Sequence, residues 1–444
     1  MAGEWDEVRL GDLSEVITKG TTPTSLGFRF TDTGINYVKS ESVTFDGWID
    51  RSKFARIDAE THAALKRSQL KEGDVLFSMA GVYIGKTAVV PKDILPANTN
   101  QAVGIVRLNQ TRAHPRFIDY FLRNPSYNLF LNNLVSQSAQ PNLNLSEIRN
   151  LPIALPPLAE QKAIAAVLGA LDDKIELNRR MNATLEAMAQ ALFQSWFVDF
   201  DPVRAKLDGR QPPGLDESTA ALFPATFQHS LVGPVPHGWE VKTLSELTAL
   251  ITKGTTPTQY DMTGAPDADA QVNYVRVNSI DEDGSILADK LTTIPESVHT
   301  GVLKRSILEP NDVLYTIAGT IGRIALAEDW ILPANTNQAV AIIRPEPEIP
   351  SRFLSLTMRH EVFREELHNN IVHAVQANLS LGMLAKARAV VPSKSTLQQL
   401  FKPIDELLSQ ISANRAQSRT LATLRDTLLP KLLSGELSPI SVRE

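Results

Sequence analysis

Two long stretches of the chain carry apolar residues at alternating steps of four and three. The first lies between residues 158 and 197 and continues for about five heptads, and the same steps recur 236 positions later. This spacing is typical of helices that pack along one another as a coiled coil. We call the row of positions at these steps in each stretch its seam. The central positions of the two seams are Leu168, Leu171, Ile175, Asn178, Leu185, Ile404, Leu407, Ile411, Asn414 and Leu421.

The two seams favour a single helix pair over two unrelated surface helices, because they agree in phase and each follows its own globular segment. An asparagine occupies the same place in both, at Asn178 and Asn414. Such a residue costs stability but fixes the register of the pair. We expect an antiparallel, pseudo-twofold pair that separates two similar globular domains, one at each end.

Shorter runs rich in β-branched and aromatic residues predict strands, since they are bounded by Gly, Pro and Asn. In the first half of the chain these runs are 36–39, 74–79, 86–90 and 103–108, and a helical pattern covers 117–122. The mixture predicts an α/β or α+β fold with a mostly antiparallel or barrel-like sheet.

The globular segments are two copies of one unit. ITKGTTPT occurs at 17–24 and at 251–258, and LPANTNQAV occurs at 95–103 and at 332–340. A segment with Pro and Gly, typical of a linker, joins the copies. The predicted parts are a first globular domain (1–152), a first helix (153–200), a linker (201–236), a second globular domain (237–392) and a second helix (393–437).

Composition restricts the function classes. The 444 residues include no cysteine, which excludes disulfides and thiolate metal sites. The net charge is −6, with 17 Lys+Arg against 16 Asp+Glu in residues 1–150 and 14 against 19 in residues 226–395. A nucleic-acid surface would therefore be local or shared with a partner. With no signal-peptide pattern and no apolar run of membrane-spanning length, we expect a cytoplasmic protein without membrane association.

Two motifs resemble catalytic sites but lack their context. AGVYIGKT at 80–87 is similar to a loose P-loop, yet a strand-like TAVVP follows it, and the second copy has Arg323 where the first has Lys86. We expect a hairpin with a basic tip. NPSY at 124–127 is similar to the Asn-Pro-Pro-Tyr of amino-methyltransferases, but the second proline and a Gly-rich cofactor loop are missing, so we expect a turn at a helix end.

No constellation of acids, bases or nucleophiles recurs in both copies. The eight histidines show no ligand spacing, and the one close set, His360, His368 and His373, is not repeated. A duplicated enzyme would carry its chemistry twice or show its loss. We therefore expect no catalytic residue and no metal site.

The residues that do recur are small, polar and cationic. Lys and Arg suit phosphates and guanine, whereas Asn and Gln suit adenine. A structural role is the alternative, because Gly-Thr-Thr-Pro also makes a good turn and Asn-Thr-Asn a good loop. The candidate DNA-contact residues are Lys19, Thr21, Thr22, Lys39, Lys86, Asn98, Asn100, Gln101, Lys253, Thr255, Thr256, Arg276, Arg323, Asn335, Asn337 and Gln338.

Longer segments resemble one known family. Residues 155–203, from LPPLAEQKAIAAVLGALDDKIELN to FVDFDPV, are similar to the central conserved segment of specificity subunits of type I restriction-modification systems. LRDTLLPKLLSGEL at 424–437 is similar to their C-terminal conserved segment, and the Lys-Gly-Thr-Thr-Pro stretch to the start of their target recognition domains. The close match between the two recognition domains is a departure, since these domains often diverge in the family.

The resemblance implies a non-enzymatic subunit that recognises double-stranded DNA. Each recognition domain would recognise one half of a bipartite target, and the helices would set the spacer and dock two methyltransferase subunits. Two restriction subunits would join the complex through the methyltransferase subunits. S-adenosylmethionine, ATP and Mg are expected in the partner subunits, and no cofactor is expected in this chain. The alternatives are a non-catalytic assembly scaffold and, less favoured, a self-contained DNA methyltransferase.

Overall fold

The chain forms two compact units, each of which contains one copy of the repeat. A computed structural model describes residues 5–80, 84–136, 142–263, 270–372 and 379–439. Unit 1 comprises Met1–Arg179 and Arg415–Glu444, and unit 2 comprises Arg180–Asn414. The division falls inside both long helices, so each unit contains a part of each helix. The domain boundaries predicted from the repeat follow the sequence order and stay predictions.

Unit 1 combines short strands with helices. Its described strands are β1 (Asp6–Arg9), β2 (Ser14–Lys19), β3 (Ile35–Val38), β4 (Ala55–Ile57), β5 (Val75–Ser78), β6 (Thr87–Val89), β7 (Ala97–Thr99), β8 (Val103–Leu108) and β9 (Pro152–Leu155). Its helices are α1 (Ala59–Ala64), α2 (Pro115–Arg123), α3 (Pro125–Ser136), α4 (Leu145–Arg149), the first part of α5 (Leu158–Phe193) and the end of α13 (Lys394–Leu433). The predicted mixture of helix and strand is confirmed.

Unit 2 repeats this series after an additional segment. Its helices are the end of α5, α6 (Asp201–Leu207), α7 (Glu217–Ala221), α8 (Gln259–Thr263), α9 (Glu296–Thr300), α10 (Ser351–Arg359), α11 (Glu361–Val372), α12 (Leu381–Lys386) and the start of α13 (Lys394–Leu433). Its strands are β10 (Phe227–Ser230), β11 (Gly233–Pro236), β12 (Glu240–Thr243), β13 (Thr248–Lys253), β14 (Gln271–Val275), β15 (Thr292–Pro295), β16 (Val313–Thr316), β17 (Ile324–Leu326), β18 (Ala334–Thr336), β19 (Val340–Pro345) and β20 (Arg388–Val391).

The sheets of the two units have the same topology. In unit 1, β2-β8-β5-β6 is an antiparallel sheet, β4-β3-β7 is a mixed sheet in which β3 and β7 run parallel, and β1 pairs with β9. In unit 2 the corresponding orders are β13-β19-β16-β17, β15-β14-β18 and β12-β20. The strands are mostly antiparallel, as predicted, and within the described residues they form several small sheets.

The long helices run antiparallel within each unit. In unit 1, Asp172 of α5 accepts a hydrogen bond from Arg425 of α13 at 2.9 Å, and Asn178 donates to Ser418 at 3.2 Å. Along these contacts the residue numbers of α13 fall as those of α5 rise, so the two helices run in opposite directions. In unit 2, Asn414 donates to Asn182 at 2.8 Å. The central seam positions are all buried or half-buried.

Each unit packs its globular part on the helices through equivalent positions. In unit 2 one apolar cluster contains Phe193, Phe197, Phe353 and Phe401. The positions 236 residues away are Leu429 and Leu433, Phe117 and Ala165, and all four lie in one cluster of unit 1. The duplication therefore extends to the packing of the core.

The segment predicted as a linker is folded. It contains α6, α7 and the β10–β11 hairpin, and Val203 and Phe223 are buried in the same cluster as Trp239. Lys206 donates from Nζ to the carbonyl of Phe223 at 2.6 Å. Apolar side chains at these positions outweigh the turn-forming Pro and Gly between them. Among the described residues, no helix has both the length and the apolar character needed to cross a membrane.

Candidate nucleic-acid interface

Most of the candidate residues lie at one edge of the antiparallel sheet. Lys19 at the end of β2 pairs with Gly104 near the start of β8, and Ser78 at the end of β5 pairs with Val103. Strand β6 begins beside them at Thr87. Because neighbouring strands alternate in direction, these four strand ends meet at the same edge. We call this edge, with its connecting loops, the loop edge.

The mixed sheet adds two more candidates to the loop edge. Val38 at the end of β3 pairs with Thr99 at the end of the parallel strand β7. Lys39 and Asn100 follow directly, and residues 100–102 connect β7 to β8. In unit 2, Val275 at the end of β14 pairs with Thr336 at the end of β18 in the same way. Loops at one end of a rigid sheet are a frequent place for binding residues.

The two repeated motifs cross each other at a glycine. The amide of Thr21 donates to the carbonyl of Thr99 at 3.1 Å. A Cβ on Gly20 would lie 2.1 Å from that carbonyl oxygen, and one on Gly254 would lie 1.9 Å from the oxygen of Thr336. Both distances are below any real contact, so only glycine fits. The glycine of ITKGTTPT thus has the same structural cause in both copies.

Side chains hold the crossing on both sides. Thr22 donates a hydrogen bond to Gln101, and Thr256 does the same to Gln338. The Tyr37 hydroxyl donates to the carbonyl of Thr21 at 2.9 Å, and burial raises the pKa of Tyr37 to about 12. Tyr37 therefore stays protonated and donating at neutral pH.

Asn98 and Asn335 are structural residues, contrary to their prediction as DNA contacts. Both are fully buried. The amide nitrogen of Asn98 donates to the carbonyl of Leu65 at 3.2 Å and to Ser68 at 2.9 Å. Asn335 makes the equivalent bonds to Leu303 and Ser306. Because these amides have no exposed surface, they shape the loop edge from inside.

The other candidates differ in exposure. Lys253, Arg276, Thr255, Thr256, Gln101 and Gln338 are exposed, whereas Lys19, Thr21, Thr22, Lys39, Asn100 and Asn337 are half-buried. Lys39 lies 3.6 Å from Glu41, and the Arg276 guanidinium lies 5.6 Å from the centre of the Tyr274 ring. The exposed members of this set can contact a phosphate or a base edge directly.

Lys86 and Arg323 are packed at the same edge. The Lys86 ammonium lies 4.2 Å from the centre of the Phe45 ring, and burial, followed by the charge of Lys53, lowers its pKa. Arg323 donates to the carbonyl of Ile280 at 2.7 Å. A strand rather than a helix follows each of them, so neither residue precedes the helix N-terminus that a P-loop requires. The hairpin predicted here includes residues 81–83, which lie outside the described residues.

The sequence reasoning missed a basic turn beside the crossing. Lys66–Ser68 and Lys304–Ser306 form the same short 3-10 turn with the sequence Lys-Arg-Ser. Arg67 is exposed and donates to the Thr21 hydroxyl at 3.2 Å. The repeated Lys-Arg-Ser would have identified the turn.

A repeated histidine was also missed. His62 is hydrogen-bonded to the side chain of Asn98, and His299 to that of Asn335. Each histidine thereby joins the helix before the basic turn to the loop edge. The alignment of the two copies pairs His62 with His299 at an offset of 237, close to that of the neighbouring motifs.

The remaining candidate motifs are structural as well. Asn124 directly follows the last residue of α2, and Pro125 begins α3, as expected of a turn at a helix end. Within the described ranges, no group of three or more His, Asp or Glu side chains is placed to hold a metal ion. His373, one of the three close histidines, lies outside those ranges.

Comparison with known proteins agrees with a role in DNA recognition. Residues 2–187 match the family described as the type I restriction modification DNA specificity domain. The HindI specificity subunit of Haemophilus influenzae is 25% identical over 98% of this chain and 100% of its own length. The MjaIX specificity subunit of Methanocaldococcus jannaschii is 22% identical over 98% of this chain and 94% of its own.

A solved structure shows the same fold. The S subunit of a type I restriction-modification system from M. genitalium superposes with a TM-score of 0.57 at 15% identity, over 96% of both chains. The chain combines two α/β units, long helices and a duplicated polar loop edge. It is similar over nearly its whole length to specificity subunits of type I restriction-modification systems, and its residues 2–187 match the DNA specificity domain of these systems, which supports recognition of a DNA sequence.

Proposed function

We propose that this chain is the non-catalytic DNA-recognition subunit of a type I restriction-modification complex, and that each loop edge recognises one half of a bipartite target. The observation that carries the proposal is the recurrence of the same structural features at both loop edges. The same glycine crossing, the same buried asparagine and the same basic turn occur once in each unit. Two equivalent surfaces on one chain suit a target with two separate parts.

We further propose that α5 and α13 set the distance between the half-sites and dock two methyltransferase subunits, which bring two restriction subunits. Each unit rests on segments of both helices, so the helices are the connection between the two recognition surfaces. Leu177, Met188 and Leu424 expose apolar side chains on these helices and offer contacts to such partners. S-adenosylmethionine, ATP and Mg belong to the partners in this scheme.

The charge of the chain supports a dependence on partners. With 44 Lys+Arg against 50 Asp+Glu, the subunit has no surplus of cations with which to neutralise phosphates. The methyltransferase subunits would supply the missing contacts. We therefore propose that tight, specific binding requires the assembled complex, in the cytoplasm.

The test is co-expression of the chain with its methyltransferase subunit, followed by genome-wide mapping of methyladenine. We expect one bipartite motif with a fixed gap. Methylation without a sequence motif would favour the scaffold alternative. The isolated chain should bind neither S-adenosylmethionine nor a specific DNA sequence at physiological salt, and binding of either would contradict the proposal.

A further inference from the structure

A short turn has the same backbone in both units but different side chains. Residues 44–48 (TFDGW) and 281–285 (DEDGS) form this turn, which we call the tip loop. The Thr44 amide donates to the carbonyl of Trp48 at 3.1 Å, and the Asp281 amide to that of Ser285 at 2.9 Å. The glycines of the two loops have φ values of 81° and 82°, which favour glycine.

An arginine at the equivalent position of each unit fixes the tip loop to that unit. Arg123 donates from Nη1 to the carbonyl of Asp46 at 2.6 Å, and Arg359 donates to that of Asp283 at 3.0 Å. These arginines end α2 and α10, which are equivalent helices. Residues 45 and 282 therefore stand at corresponding places on the two units.

The side chains at these two places differ in chemistry, and each contacts a cation of the loop edge. Phe45 is 68% exposed and packs over Lys86, which directly precedes β6. The Glu282 side chain is 86% exposed and lies 3.7 Å from Arg323, which directly precedes β17. The cation is common to both units, whereas its partner is aromatic in one and acidic in the other.

Identical surfaces would recognise identical half-sites, so discrimination between the halves must come from positions at which the copies differ. We propose that Phe45 and Glu282 are specificity-determining residues that recognise different base pairs at the same place in their half-sites. This inference rests on the proposed function. An apolar ring suits the C5 methyl group of thymine, and a carboxylate accepts a hydrogen bond from the N4 amino group of cytosine.

The neighbouring cations make both contacts possible. Lys86 holds the exposed ring in place through a cation–π contact. Arg323 neutralises the carboxylate, which would otherwise be repelled by the phosphates of DNA. The two pairs, Phe45 with Lys86 and Glu282 with Arg323, are thus alternative solutions for one position.

The test exchanges the pairs between units in the co-expressed complex. In the double variant Phe45→Glu, Lys86→Arg, methyladenine mapping should show one base pair of the first half-site changed from T·A to C·G. The second half-site and the gap should be unchanged. The reciprocal variant Glu282→Phe, Arg323→Lys should alter only the second half-site. Unchanged motifs in both variants, with a bipartite motif for the wild type, would overturn the inference.

A binding measurement covers the case in which a double variant fails to fold. Replacement of the thymine by uracil removes one methyl group and should weaken binding of the wild-type complex about fourfold. Phe45→Ala should abolish that difference, and it should lower the unfolding midpoint only slightly, because the ring is largely exposed and loses only its contact with Lys86. An equal loss in wild type and Phe45→Ala would contradict a methyl contact.

Trp48→Ser provides the matched control within the same loop. The Trp48 ring lies 3.9 Å from the Arg179 guanidinium of α5, so it serves the attachment of the tip loop. The hydrogen bond from Arg123 to Asp46 still fixes the tip loop in this variant, so the recognised bases should be unchanged. Absence of any motif for the wild-type complex would refute the proposed function itself, which separates that failure from failure of this inference.

Discussion

Gly20 and Gly254 show how a single residue shapes the loop edge. Any side chain at these positions would overlap the carbonyl oxygen of the crossing strand. We expect Gly20→Ala to displace the crossing and to destabilise unit 1 by about 1–3 kcal/mol. Denaturant unfolding measures the change. Gly382→Ala is the control, since only the Ser380 hydroxyl, at 4.0 Å, lies near its added methyl group. Equal stability of both variants would show that the crossing tolerates a side chain.

Lys19 is expected to contact a phosphate rather than a base. It lies at the end of β2, within the duplicated stretch, and its equivalent Lys253 is exposed. In the assembled complex, Lys19→Ala should weaken binding to all sequences alike and reduce the slope of log K against log salt by about one. Lys71→Ala is the control, because Lys71 precedes β5 at the opposite edge of the same sheet. An unchanged slope for Lys19→Ala would leave this lysine with a structural role.

At the level of elements, the helix pair contains a polar contact at the same seam position in each unit. Asn178 donates to Gln417 at 2.9 Å and to Ser418 at 3.2 Å, and Asn414 donates to Asn182. A polar residue in a seam lowers the stability of the helix pair but fixes its register. We expect Asn178→Leu to raise the unfolding midpoint of the assembled complex while broadening the gap lengths found by methylation mapping. A lower midpoint would mean that the amide contributes net stability.

The length of the helices should determine the gap between the half-sites. Four residues inserted after Asn182 would lengthen α5 by about 6 Å and keep the seam in phase, because four is one of its steps. The mapped motif should keep its bases and gain one or two base pairs in the gap. Altered bases with an unaltered gap would contradict this role.

Periodicity predicted these elements well, because a seam of alternating steps has few alternative structures. The strands were predicted in part: the runs 36–39, 74–79, 86–90 and 103–108 correspond to β3, β5, β6 and β8, whereas the other described strands of unit 1 were not predicted. The linker was harder to predict, since its Pro and Gly residues indicate turns, whereas Val203 and Phe223 are buried in the folded segment. The loop edge could be predicted only in part from the sequence. The sequence supplied the recurring residues, but only the structure places Lys19 beside Gly104 and buries Asn98.

At the scale of the whole molecule, unit 2 is continuous in sequence and unit 1 is not. Leu429, Leu432 and Leu433 of α13 belong to the same apolar cluster as Ile164 and Leu168 of α5. A chain that ends at Asn414 should therefore fold unit 2 and leave unit 1 incomplete. Limited proteolysis should cleave such a chain within residues 1–179 and spare 180–414. Resistance of both parts would show that unit 1 needs no contribution from α13.

The same discontinuity bears on the order of events at the ribosome. Unit 2 ends at Asn414. The segment of α13 that completes unit 1 begins at the next residue, Arg415. At about 5–20 residues per second, the ribosome needs roughly 10–50 s to extend the chain from Arg179 to that point. During this time the apolar face of Ile164 and Leu168 lacks its partner. The first domain to emerge is thus the last to be finished, and nascent chains should depend on chaperones for that interval.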